Sequence, residues 1–109
     1  MLEIITVNGV PVNAGKPIID RIGEPAALEQ LAEEATELAK AALKLARVKR
    51  GNNPTPVTET EALENLHEEV SDVQVCCQVL GLAPDNQIRG AKLNRWLDRL
   101  GVEYEVQEC

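Results

Sequence analysis

The sequence predicts an all-α fold, an antiparallel bundle of three main helices, on three observations. Apolar residues recur at helical spacing through two long segments, and a glycine stands one step past the last good helix former of each of three segments. With no Phe, one Trp and one Tyr, any core must be built from Leu, Val, Ile and Ala, which favours helix on helix. A chain of 109 residues fits a single domain. It divides into a β-like N-terminal extension over 1–20, a helical core over 25–100 and a tail over 102–109.

The elements follow in order. "LEIITV" is β-branched and short, Asn8-Gly9 is a strong two-residue hairpin signal, and "VPV" supplies the return arm, which Pro11 restricts to a sheet edge. The first main helix is expected from about Pro25, suited to a first helical turn, to Arg50, with Gly51 as its left-handed cap. The loop "GNNPTPV" leads to the second helix. Thr58 and Glu61 form a plausible capping box at its start, and Gly81 ends it. The third starts after Asp85, carries Gly90 inside and ends at Gly101. "VEYEV", Val102 to Val106, alternates apolar and acidic residues as a C-terminal strand with one buried face would.

Composition excludes several classes of function. A net charge of −7 leaves no clustered basic surface for a phosphate backbone, so nucleic acid is not expected as a partner. No apolar run reaches the roughly 20 residues of a membrane span, and the N-terminus lacks a signal-peptide layout, so a cytoplasmic protein without membrane association is expected. Cys76, Cys77 and Cys109 are odd in number and lack zinc-ligand spacing. They read as small apolar helix residues and a free thiol at the tail.

The two long helices repeat one pattern. "ALEQLAEEATEL", Ala27 to Leu38, aligns without gaps on "ALENLHEEVSDV", Ala62 to Val73, with six of twelve positions identical. At ~100° per residue, Leu28, Leu31, Ala35, Leu38, Ala42 and Leu45 form one apolar stripe, and Leu63, Leu66, Val70, Val73, Cys77 and Leu80 form its equivalent. Glu34 and Glu37 lie beside the first stripe, Glu69 and Asp72 beside the second. Antiparallel packing brings these two i, i+3 acid pairs together across one groove. Like charges at helical spacing oppose folding by roughly 0.2–0.5 kcal/mol a pair, and more where water is excluded. A hard divalent cation relieves that repulsion. All-oxygen ligation suits Mg2+, with Mn2+ as a substitute, and Mg2+ commonly takes phosphate oxygens as further ligands, so a nucleotide or another polyphosphate is the expected substrate.

"EEATE", Glu33 to Glu37, followed by "EEVSD", Glu68 to Asp72, and "KLNRW", Lys92 to Trp96, resembles the EExxE and ExxD signature of the MazG-like, all-α nucleoside triphosphate pyrophosphohydrolases. The likeness spans roughly Leu28 to Arg99. It implies that Glu34, Glu37, Glu69 and Asp72 ligate magnesium. Glu33 and Glu68 would support these ligands or hold an additional metal ion, and one carboxylate among Glu33, Glu37 and Glu68 would orient the attacking water. Lys92 and Arg95 would hold phosphate oxygens. The implied reaction is hydrolysis of a nucleoside triphosphate, a dNTP or noncanonical NTP, to the monophosphate and pyrophosphate.

Many members of that family have a second Arg where this chain has Trp96, a residue that could stack on a nucleobase but is more often core or interface. His67 is expected to be solvated or packed. Lys40 and Lys44 are expected to pair with the acids of their own helix, with a reach to phosphate as the alternative. Ala27, Ala41, Leu43 and Leu82 lie away from the centre of the stripes and call for cover, so the bundle is expected to be completed by oligomerisation. The resemblance likewise implies a homodimer or dimer of dimers. An alternative function is a non-catalytic, metal- or nucleotide-binding helical dimer acting as sensor or adaptor.

Overall fold

The computed structural model describes residues 1–51 and 56–109. They form β1 (Thr6–Val7), β2 (Val10–Pro11), α1 (Gly15–Ile22), α2 (Glu24–Arg50), α3 (Glu59–Leu80) and α4 (Asn86–Leu100). The loop expected over 51–57 falls largely on residues 52–55, which lie outside the described residues.

Local chemistry accounts for most element ends. Asn8 and Gly9 have φ of 53° and 80°, the two positive values a type I′ turn requires, and Val7 pairs with Val10 across it. Pro11, opposite Thr6, faces the outer edge where no ladder N–H is needed, and the ladder continues with Val12 N–H donating to the Ile5 carbonyl at 2.8 Å before the Asn13 side chain closes it. Ile5 N–H donates to Asn13 Oδ1 at 2.8 Å, and Asn13 Nδ2 donates to the Glu3 carbonyl at 2.8 Å. The Pro11 carbonyl accepts from Gln78 Nε2 at 2.6 Å, which ties the hairpin to the end of α3.

Thr58 and Glu61 make the expected capping box, with Glu61 N–H donating to Thr58 Oγ1 at 3.1 Å. Asp85 Oδ1 caps α4 by accepting from the N–H groups of Gln87 and Ile88 at 2.9 and 3.1 Å. The three expected glycine caps also form. At Gly81, for example, the Gly81 and Leu82 N–H groups donate back to the Gln78 and Cys77 carbonyls, a Schellman closure that only a left-handed residue permits.

Two expectations are corrected. Residues 1–20 are not wholly β-like, because α1 occupies Gly15–Ile22. Gly15 and Pro17 weaken its local helix signal, and its support is tertiary: Ile18 and Ile22 share a cavity with Ala27 and Gln30 of α2 and Val75, Cys76 and Val79 of α3. Gly15 sits so close to α3 that a Cβ there would lie 3.0 Å from the Val79 carbonyl oxygen. The second correction is at the C-terminus, where residues 102–109 form no strand. Among the described residues no strand lies beside them to pair with, and Tyr104 donates from its hydroxyl to Asp98 Oδ1 at 3.0 Å.

Helices α2 and α3 form the main packing unit and run in opposite directions. Lys49 at the end of α2 meets Glu59 at the start of α3 at 2.7 Å, while Ala27 at the other end of α2 shares a cavity with Val79. The seam is turned about one residue from the expected stripes. Its buried residues are Ala27, Ala41 and Leu45 on α2 and Ala62 on α3, whereas Leu28, Leu63 and Val70 remain exposed. Alanines at the contact let the backbones approach closely, which draws the seam onto them and away from the bulkier neighbours.

Because the helices are antiparallel, one step forward along each turns toward the same side of the pair. Leu28, Leu63 and Val70 therefore share one flank. Glu33, Glu37 and Glu68 lie on the opposite flank, where α1 covers one end.

Helix α4 is different. None of its Cα atoms comes within 8 Å of α1, α2, α3 or either strand. The Cα radius of gyration is 18.3 Å, against about 13 Å for a compact chain of this length. The accessible surface is 9015 Å², against about 6000 Å² for a compact monomer of 11.9 kDa. Among the described residues, no helix is long and apolar enough to cross a membrane.

Candidate metal centre

The turn of the seam carries two of the acids inward. Glu34 falls on the face that holds Ala27, Leu31, Leu38 and Ala41, and Glu69 on the face that holds Ala62, Leu66 and Val73. Both are half-buried. Glu34, Glu69 and Asp72 each offer a carboxylate oxygen, and the three oxygens lie within 4.8 Å of one another. The duplicated pattern thus meets itself across the helix pair at mid-length.

Glu37, expected as a fourth ligand, stands beside this trio and is engaged elsewhere. It accepts a hydrogen bond from Lys40 Nζ at 3.3 Å with its side chain largely in solvent. Glu33 and Glu68 are exposed on the same flank. Lys40 is the local charge partner expected of it. His67 is exposed, and its carbonyl accepts from Ser71 Oγ at 2.9 Å.

Electrostatics single out Glu69. Partial burial among the two helices, followed by the charges of Asp72, Glu34, Glu37 and Glu68, raises its pKa above the ordinary carboxylate value of 4.5. Every charge that raises it is anionic. Burial, followed by the Glu34 charge, also pushes the Cys76 thiol up, so Cys76 stays protonated and inert beside the acids.

The donor set fits a hard cation. Oxygens bound to one octahedral magnesium ion at about 2.1 Å stand about 3–4 Å apart, which small side-chain adjustments from the present separations would reach. The set contains only carboxylates, which suits magnesium or manganese over zinc or copper.

Two neighbours were not singled out from the sequence. Gln30 Nε2 donates to Glu34 Oε1 at 2.8 Å and so orients that carboxylate. The repeat held the signal, since an amide precedes each inner acid by four residues: Gln30 before Glu34 and Asn65 before Glu69. Cys76, at the seam one helical turn beyond Asp72, was read only as an apolar packing residue.

Lys92, Arg95 and Trp96 are not brought to the acids. All three lie exposed on α4, Trp96 at 59 % of its full accessibility, and among the described residues no ion pair reaches Lys92 or Arg95. A concavity of about 710 Å³ lined by Gln74, Cys77, Gln78, Gly81, Leu82, Ala83 and Pro84 lies at the end of α3, away from the carboxylates. Its walls carry no charged group, so it is not the place to look for phosphate chemistry. No protein-family model, no curated protein and no solved structure matches this chain.

Proposed function

We propose that the protein is a MazG-like, magnesium-dependent pyrophosphohydrolase that cleaves nucleoside triphosphates, dNTPs or noncanonical NTPs, to the monophosphate and pyrophosphate. The observation that supports this reading is the meeting of Glu34, Glu69 and Asp72, from two copies of one acid pattern, within 4.8 Å at a half-buried seam. These three residues would hold the ion, with Mn2+ as a substitute for Mg2+. Glu37 would join them on leaving Lys40, a surface pair of small energetic weight. Bound there, the metal would neutralise phosphate charge and favour ionisation of a coordinated water. Glu33, Glu37 and Glu68, on the open flank beside the trio, would orient that water and take its proton. Lys92 and Arg95 would hold phosphate oxygens, and Trp96 would contribute an apolar or stacking surface.

The bundle is completed in this reading by a second copy, as a homodimer or dimer of dimers, in the cytoplasm and without nucleic acid. The surface excess of about 3000 Å² supports it, being on the scale of obligate interfaces.

The second reading is a non-catalytic metal- or nucleotide-binding dimer, a sensor or adaptor. It is favoured by the distance between α4 and the acids, which keeps Lys92 and Arg95 of the same chain away from the proposed metal centre. A panel of NTPs and dNTPs with Mg2+, assayed for pyrophosphate, separates the two. Release of pyrophosphate from at least one nucleotide is expected, and nucleotide binding without turnover of any would overturn the enzyme reading.

A further inference from the structure

We propose that the outer edge of β1 takes the 102–108 segment of a second copy as an added strand, so that the hairpin of each chain becomes a three-stranded sheet through its neighbour. The contact lies apart from the carboxylates and from the cations of α4. It stands or falls whatever the protein does with nucleotides.

Three observations carry it. First, the hairpin has one closed edge and one open edge. Val7 pairs with Val10, and Val12 N–H donates to the Ile5 carbonyl at 2.8 Å, so Ile5 and Val7 turn their backbone groups toward β2. Ile4 and Thr6, one residue out of step, turn theirs away. On the β2 side Pro11 has no N–H to offer, and its carbonyl already accepts from Gln78 Nε2 at 2.6 Å. On the β1 side, among the described residues, no hydrogen bond is made to the Ile4 or Thr6 backbone. This edge, "LEIITV", is β-branched and carries neither Lys nor Pro to discourage pairing.

Second, the 102–108 segment has the pattern of a strand and no partner. Val102, Tyr104 and Val106, which are 46, 41 and 71 % exposed, alternate with Glu103 and Glu105. Among the described residues, the Val102 N–H donates to the Leu97 carbonyl at 3.1 Å, and the backbone from Glu103 onward makes no further hydrogen bond. The Tyr104 hydroxyl holds the start of the segment against Asp98 of α4, a helix none of whose Cα atoms comes within 8 Å of either strand. The segment therefore leaves α4 at a place remote from the hairpin of its own chain.

Third, the surfaces complement each other. A cleft of about 350 Å³ between the start of the chain and α1 is lined by Leu2, Ile4, Ile18 and Ile22 together with Arg21. Among the described residues no ion pair reaches Arg21. By the period of two, Val102, Tyr104, Val106 and Glu108 share one strand face, three apolar residues followed by a carboxylate. Laid along β1, that face covers the apolar wall and brings an acid for Arg21, with main-chain bonds to Ile4 and Thr6 supplying the rest. A second β1 related by a two-fold axis would bring Leu2, Ile4 and Thr6 to the same face and no acid.

The test is amide hydrogen exchange read by NMR on the full-length chain. The comparison is the double variant Glu105→Pro, Val106→Pro, which removes one N–H from each edge of the segment and leaves Tyr104 and the helices in place. In the 15N-labelled wild type the Ile4 and Thr6 amides should exchange about tenfold more slowly than in the labelled variant. The Val12 amide, bonded within the hairpin in both, is the internal reference. Labelled variant refolded with an excess of unlabelled wild type should recover the slow exchange, because the strand is supplied by another chain. Slow exchange that unlabelled wild type does not restore would place the segment on its own chain and overturn the proposal. Slow exchange that persists in the variant alone would put a different occupant on the edge, a second β1 included, and overturn it too. Fast exchange of Ile4 and Thr6 in the wild type while Val12 stays protected would show the edge uncovered, with the same consequence.

Discussion

The α2–α3 pair and α4 are both amphipathic helical segments closed by left-handed glycines, yet one is packed and the other is not. In the pair, alanines at the contact draw two backbones together and bring like charges into a half-buried seam. In α4, larger apolar residues and a row of cations face solvent. At that seam anionic neighbours raise the Glu69 pKa, and among the described residues no ion pair reaches Lys92 or Arg95 of α4. Small residues decide which helices meet within the chain.

The largest expected effect falls on the packed side. Glu69→Gln, which keeps the shape and removes the charge, should lower the proposed pyrophosphate release by roughly 100-fold or more, because the proposed metal site loses a ligand. The same variant should raise the melting temperature in metal-free buffer, since repulsion with Asp72, Glu34, Glu37 and Glu68 is relieved. A fall in metal-free stability would mean that Glu69 is structural.

Mixing tests whether the two regions complete each other. In a dimer whose sites each take acids from one chain and Arg95 from the other, Glu69→Gln and Arg95→Ala chains, each impaired alone, should together recover about one quarter of wild-type turnover, because half the dimers are mixed and one site in two is then intact. Recovery no greater than the sum of the separate variants would confine each site to a single chain.

On the unpacked side, Trp96→Ala should weaken self-association by roughly 30-fold, the scale of an aromatic hot spot, as measured by sedimentation at falling concentrations. The α2–α3 pair should keep its helix content.

A smaller effect is expected at a position remote from both charge sets. Thr58→Ala removes the acceptor for the Glu61 N–H and should cost about 1 kcal/mol in chemical denaturation, with turnover unchanged.

The smallest effect is the pH dependence of the metal-free protein. The folded-state pKa of Glu69 is raised, so the folded state binds the proton more tightly than the unfolded chain does. The stability linked to this proton is fully present below about pH 4.5 and is lost as pH rises through the raised value. Melting curves of wild type against Glu69→Gln across that window should converge at the acid end and separate toward neutrality.

Much of the fold was legible because its signals are local. The hairpin at Asn8-Gly9, the capping box at Thr58 and the cap glycines at 51, 81 and 101 act through bonds a few residues apart. The acid pattern was legible for the same reason, since i, i+3 spacing is a property of one helix. Helix α1 was not legible, because Gly15 and Pro17 hide it and its stability comes from Val75 and Val79, some sixty residues away. The C-terminal alternation misled, because a strand needs a neighbour as well as a pattern.

Sequence by itself determined the helical segments, their ends and the duplicated carboxylates, all of which depend on backbone geometry and short-range hydrogen bonds. Tertiary structure alone decided which face of each helix is inside. Ala27, Ala41 and Ala62 won the seam over Leu28 and Leu63 because two backbones approach more closely over small side chains, and that turn placed Glu34 and Glu69 within the contact. It also decided that Lys92 and Arg95 stand apart from those acids, since the placement of a helix beyond a short link depends on what it can pack against.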